Sequence, residues 1–169
     1  AAPTNVACAV AVAVELGVPF DRLERLLDSL PVVQSRLASY RSEAGFMILD
    51  DTYNSNPAGA RLALSALARE ASDGGRRVVV TPGMVELGSL QEGENAAFAK
   101  SAVNVASDLL VVGRTNKRPL LAGARQGLGS GLANVVALGT RQQAVDWVRA
   151  HLGPGDVVLY ENDLPDHYA

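Results

Sequence analysis

Asp50-Asp51-Thr52-Tyr53-Asn54-Ser55-Asn56-Pro57, directly after the apolar run Phe46-Met47-Ile48-Leu49, is the stretch on which the fold turns. The apolar run predicts a buried strand. The residues after Pro57 predict a helix over 58–71 that carries Leu62, Leu64 and Leu67. A strand that feeds a helix belongs to an α/β sheet, and open sheets bind ligands at the carboxyl ends of such strands. Two adjacent carboxylates there need partners or a ligand, because an unpaired buried charge is costly. The stretch therefore reads as the rim of a polar-ligand site.

Outward from this rim the chain alternates. Upstream, short strands over 37–41 and 46–50, joined by 42–45, are spaced for an antiparallel hairpin. Downstream, Asp73-Gly74-Gly75 stops the first helix, and Arg77-Val78-Val79-Val80-Thr81 makes a second apolar strand. A loop over 82–88, a helix over 91–106 and the strand Asp108-Leu109-Leu110-Val111-Val112 follow. A helix near 118–126 and a Gly-rich turn over 127–131 come next. A strand over 134–138, a helix over 140–152 with Thr140 as N-cap, and a strand over 156–160 complete the series. Unbroken Val/Leu runs between helices predict an α/β class domain. Its sheet is expected to be Rossmann-like and mostly parallel, with helices on both faces and an antiparallel hairpin strand at the start.

Residues 1–33 break this rhythm. Residues 5–16 are Ala/Val-rich and read as a buried helix with Cys8 in its core face. Pro19 opens a second helix with Leu23, Leu26, Leu27 and Leu30 at helical spacing, and Pro31 ends it. The expected organisation is a piece of an upstream domain over 1–33 and a complete α/β domain over 34–169. With 169 residues and 48% hydrophobic content, the chain can bury a full core. A net charge of −3 without a basic block argues against nucleic acid as a partner. One cysteine and two histidines, His151 and His167, leave no cluster for a metal. The apolar run from Val6 to Leu16 is too short for a bilayer and lacks the charged flank of a signal peptide. A cytoplasmic protein is expected.

In a parallel sheet the loops after the strands share one edge. That edge would gather Asp50, Asp51, Glu86, Arg114, Lys117, Glu161 and Asp163, a mixture of signs suited to a zwitterionic or phosphorylated ligand. The same residue types also fill turns for conformational reasons alone, notably in Gly113-Arg114-Thr115-Asn116-Lys117 and over 161–167. There is no G-x-x-x-x-G-K-[ST] phosphate loop and no G-x-S-x-G elbow. Gly127-Leu128-Gly129-Ser130-Gly131 precedes a strand, where a dinucleotide fingerprint would follow one. Trp147 reads as packing, and His151 as a partner of its helix dipole.

The octapeptide at 50–57 resembles the D-D-x-Y-N-x-N-P motif of the Mur ligases. Within that family it looks closest to the branch that adds D-alanyl-D-alanine to a UDP-N-acetylmuramoyl-tripeptide. The segment from Pro31 to Arg36 resembles the family's proline-to-arginine linker into its C-terminal domain. Pro82-Gly83-Met84-Val85-Glu86-Leu87-Gly88 resembles its G-D-M-x-E-L-G loop, and Asn5-Val6 with the Ala/Val helix resembles the end of its central ATPase domain. The resemblance implies the last part of a three-domain, ATP-dependent amide ligase of peptidoglycan synthesis. Such an enzyme joins an amino acid or dipeptide to a UDP-muramyl-peptide carboxylate through an acyl phosphate. ATP and Mg2+ would be held mainly by the central domain. The fragment alone would be inactive, with neither a catalytic residue nor a metal ligand of its own.

By motif position, the resemblance implies that Arg36 contacts the ribose or phosphates and that Asp51 contacts the ribose. Tyr53, Asn54 and Asn56 would shape the junction between nucleotide and acceptor. Arg114, Thr115 and Asn116 would grip the incoming amine, with Glu86 on a neighbouring loop and Glu161 and Asp163 on a second acceptor loop. The chain departs from the pattern at three places. Cys8 stands where the family shows a second asparagine, Thr81-Pro82-Gly83-Met84 replaces G-D-M, and Tyr160-Glu161-Asn162-Asp163 replaces Lys-Gly-Ser. The last change puts an acidic group where a basic one is expected, so a Mur-like ligase with a different acceptor is one alternative. A non-catalytic ligand-binding or protein-interaction module is another. Folylpolyglutamate-type enzymes carry a histidine where this chain has Asn54-Ser55.

Overall fold

The computed structural model describes residues 3–29, 37–53, 55–70, 72, 74–127 and 133–163. The chain divides into two compact units, Ala1–Gln34 and Ser35–Ala169. The first holds α1 (Pro3–Glu15) and α2 (Phe20–Asp28), with a groove of about 330 Å³ lined by Val6, Val10, Leu23 and Leu27. Only Leu23 of α2 is buried, whereas Val12, Leu16 and Phe20 are exposed. The expectation of a buried helix is corrected here, and Cys8 is exposed as well. The physical reason is geometric: a helix apolar on every side needs partners on every side, and two helices cannot enclose each other.

The second unit carries β1 (Ala38–Arg41), β2 (Met47–Asp51), α3 (Pro57–Glu70), β3 (Arg77–Thr81), α4 (Gln91–Val105), β4 (Asp108–Val112), α5 (Lys117–Gly127), β5 (Asn134–Leu138), α6 (Arg141–His151) and β6 (Val157–Glu161). The strand order is β1-β2-β6-β3-β4-β5, with β1 antiparallel to β2 and the other pairs parallel. This is the α/β sheet expected from the sequence. From β2 through β3 and β4 to β5 the chain moves one way across the sheet, and from β5 to β6 it moves back. Right-handed crossovers put helices on opposite faces when the direction reverses. Accordingly α3, α4 and α5 share one core with Leu49, Val79, Leu109 and Leu159, and α6 packs on the other face with Val78, Val80, Leu110 and Val158.

Helix α3 buries Ala60, Ala63, Leu64 and Leu67 at helical spacing, while Leu62 points outward. Helices α4 and α5 meet closely enough that a Cβ on Gly123 would lie 2.0 Å from the Ala96 carbonyl oxygen. Thr140 caps α6 with its side chain accepting from the Gln143 amide, and Gln143 reciprocates to the Thr140 amide. Strand β6 runs one residue further than the periodicity predicts. Its pairing with β2 continues to Asp51 opposite Glu161, which draws Glu161 out of the loop and into the sheet.

Candidate functional site

The two carboxylates of the motif part company at the end of β2. Side chains of a strand alternate between faces, so Asp51 falls on the side of α3 and Asp50 on the side of α6. Asp50 accepts hydrogen bonds from the Thr52 amide and hydroxyl at 3.2 and 2.7 Å. It lines an open groove of about 730 Å³ with Tyr40, Phe46, Tyr160, Arg141 and Arg149. Burial raises the phenol pKa values of Tyr40 and Tyr160, which keeps both as neutral donors.

Asp51, half-buried, accepts the Leu37 amide at 3.0 Å, and its carbonyl accepts the Asn162 amide at 3.1 Å. Tyr53, two residues further on, is 59% exposed. Asn56 takes up the role of N-cap: its side-chain oxygen accepts the Ala58 and Gly59 amides at 3.1 and 3.0 Å, with Pro57 as first helical residue. Arg36 and Asn54 lie outside the described residues.

Glu161 is fully enclosed. The Ser55 hydroxyl donates to one carboxylate oxygen, and the Thr81 hydroxyl donates to the other at 2.9 Å. Burial pushes this carboxyl up to about 7; the two hydroxyls oppose the rise and the Asp51 charge adds to it. Among the described residues Glu161 has no ion pair. Asn162 sits at φ +63°. Its side chain donates to the Gly83 carbonyl at 2.6 Å and accepts the Ser55 amide at 3.4 Å. Asp163 is exposed and faces Arg141 at 3.5 Å.

The loop after β3 is gripped from three sides. Asn95 of α4 accepts the Met84 amide at 2.8 Å and donates to the Met84 and Gln91 carbonyls. Asn116 donates to the Pro82 and Met84 carbonyls at 3.1 Å and accepts from the Gln91 side chain. Thr81 accepts the Gly83 amide at 2.9 Å. Gly83 has φ +82°, and a Cβ there would stand 2.4 Å from the Asn95 side-chain oxygen and 2.8 Å from Asn116 Cβ. Glu86, exposed at φ +64°, rides on this held loop.

Of the residues expected to meet ligand, Asp51, Tyr53, Glu86, Arg114, Thr115 and Asp163 remain at least partly accessible on the carboxyl edge. Asn116 and Glu161 are turned inward and spent on the scaffold. Sequence reasoning passed over Ser55, Thr81, Asn95 and Asn162. Asn95 carried one readable signal: it shares a helical stripe with Phe98, Ala99 and Ala102, all buried, so its amide had to find partners in the core. No group of three or more His, Cys, Asp or Glu among the described residues could hold a metal ion. Nor is any helix among them long and apolar enough to cross a membrane.

Comparison with known proteins matches residues 35–160 to the Mur ligase, glutamate ligase domain. The UDP-N-acetylmuramoyl-tripeptide–D-alanyl-D-alanine ligase of Mycobacterium tuberculosis (strain CDC 1551 / Oshkosh) is 32% identical over 172 residues, covering 92% of this chain and 34% of that protein. The chain thus spans about a third of the length of the curated relatives it matches. Among solved structures, MurF from Acinetobacter baumannii superposes with a TM-score of 0.66 at 23% identity, over 94% of this chain and 34% of that one. MurF ligase from Thermotoga maritima, solved in complex with ADP, gives 0.63 at 22%, with the same coverage. These likenesses carry the fold, and the domain match carries the family: the chain belongs to the Mur ligases, through their C-terminal, glutamate ligase domain.

Proposed function

We propose that residues 34–169 are the acceptor-binding domain of an ATP-dependent amide ligase of peptidoglycan synthesis, and that residues 1–33 are the last helices of its central ATPase domain. The uncovered apolar surface of α1 and α2 supports the second part, since Val12, Leu16 and Phe20 need a neighbouring domain to bury them. In the full-length enzyme, ATP would phosphorylate the carboxylate of a UDP-muramyl-peptide. The amine of an amino acid or dipeptide would attack the acyl phosphate, and the tetrahedral intermediate would lose phosphate to leave the amide. The names of the relatives make D-alanyl-D-alanine the first acceptor to try.

The observation that carries this reading is topological: Asp51 and Tyr53, both from the family motif, and Arg114 and Thr115 stand at the carboxyl ends of two parallel strands, β2 and β4, of one sheet. A half-buried carboxylate followed two residues later by an exposed ring suits the ribose and base of a nucleotide. The absence of a phosphate-loop motif from this sequence leaves the phosphates and Mg2+ to the central domain. Arg36, Asn54 and Asn56 are assigned to the same nucleotide side, and Glu86, Arg114, Thr115 and Asp163 to the acceptor side. Closure of the two domains would exclude water from the acyl phosphate. A cytoplasmic location follows from a nucleotide-linked substrate. The test is phosphate release by full-length enzyme given ATP, UDP-muramyl-tripeptide and a panel of amine acceptors. Unchanged turnover in Asp51→Ala would overturn the role given to that carboxylate.

A further inference from the structure

Glu161 and Asn162 sit side by side at the end of β6, and together they reach two loops that arise from different strands. Towards the motif loop, Glu161 accepts from the Ser55 hydroxyl, and Asn162 accepts the Ser55 amide at 3.4 Å while its own amide donates to the Asp51 carbonyl at 3.1 Å. Towards the loop after β3, Glu161 accepts from Thr81 at 2.9 Å and Asn162 donates to the Gly83 carbonyl at 2.6 Å. Thr81 in turn holds the Gly83 amide at 2.9 Å. Both side chains are buried, and Asn162 keeps a left-handed backbone, φ +63°, to make this reach.

We propose that Glu161 and Asn162 are positioning residues: a buried staple that locks the motif segment from Asp51 to Ser55, which carries Tyr53, to the loop bearing Glu86, without touching substrate. The role rests on the ligase reading above for its catalytic consequence, though not for its geometry. A fully enclosed carboxylate has no surface left to offer an acceptor amine, and both its oxygens already have hydroxyl donors. Sheet edges of this kind present loops that move independently unless something joins them. Here β6, which lies between β2 and β3, ends on the residues that do so.

The test has two arms. In the 169-residue chain, amide hydrogen exchange is compared for wild type and Asn162→Gly, because glycine accepts φ +63° and deletes only the side-chain bonds. Exchange at Ser55 and Gly83 should rise by about tenfold while Leu109 and Val111 in β4 stay unchanged. No change at Ser55 and Gly83, or equal acceleration that includes β4, would overturn the staple. In the full-length enzyme, Glu161→Ala should lower kcat by about tenfold or more with the acceptor KM within about twofold, and Glu161→Gln should recover to within about threefold of wild type. A rise of about tenfold in acceptor KM in both variants would show the carboxylate meeting substrate and would overturn the proposal. Should Glu161→Ala not fold, Ser55→Ala cuts the same bond from its half-buried end, with the same expectations. A wild-type enzyme that releases no phosphate under any acceptor would defeat the ligase reading, and the exchange arm would still judge the staple.

Discussion

The two ends of the sheet each bury a carboxylate, and they treat it in opposite ways. At the amino end, Asp108 is 1% exposed and meets the Arg76 guanidinium at 2.9 and 3.0 Å, with Ser107 and Asn134 completing its shell. Arg76 also lies over the Trp147 ring, which stacks on His151. At the carboxyl end, Glu161 is equally enclosed but has hydroxyls for partners and a second carboxylate, Asp51, as electrostatic neighbour. The difference separates two ways of burying a carboxylate. A buried charge paired with its opposite is a structural solution, whereas a carboxyl held up to about 7 by burial shows polar groups arranged at some cost to stability. Among the described residues, the non-glycine positions with positive φ, Leu37, Glu86 and Asn162, fall at the same end.

The largest effect expected at the costly end comes from Gly83→Ala. Its φ of +82° and the 2.4 Å approach to Asn95 should remove about 3–4 kcal/mol of stability, measured by urea unfolding. A loss under about 1 kcal/mol would mean that the loop is not held as tightly as its hydrogen bonds imply.

Next is the pH dependence of Glu161. Its pKa is raised from 4.5 to about 7 on folding, so between those values the folded chain binds more protons than the unfolded one. Stability should therefore fall as pH rises from about 4.5 to about 7 and level off above, by on the order of 3 kcal/mol. Glu161→Gln should flatten that slope. An identical slope in the variant would assign it to another group.

At the paired end, Arg76→Ala leaves Asp108 with only neutral donors and should cost about 2 kcal/mol, read by thermal unfolding at constant pH. The smallest change is Asn56→Ala, which removes the α3 cap at an exposed position and should cost about 1 kcal/mol. If Asn56→Ala left stability unchanged but impaired the full-length enzyme, Asn56 would belong to ligand more than to its helix.

The alternation of apolar runs with helices was legible because both faces of a parallel strand are buried, and that leaves unbroken Val/Leu segments such as Val78-Val79-Val80. The motif at 50–57 and the polar loops of one edge were legible for a similar reason, since their residue types are wrong for the interior. The inward turn of Asn116 and Glu161 was not. Whether an asparagine in the loop after a strand, such as Asn116, faces ligand or fastens its neighbour depends on which carbonyls lie within reach, and those belong to residues 32 to 34 positions away.

By itself, then, the sequence determined the class of fold, the edge on which the polar loops gather and the family motif, because periodicity and local residue chemistry act over short stretches. Only the tertiary structure decided that Asp50 and Asp51 serve opposite faces and that Glu161 is shut inside beside Thr81. It also decided that Cys8 and the helix around it lie exposed. Those outcomes depend on strand register and on what covers each face, and both arise when distant segments meet.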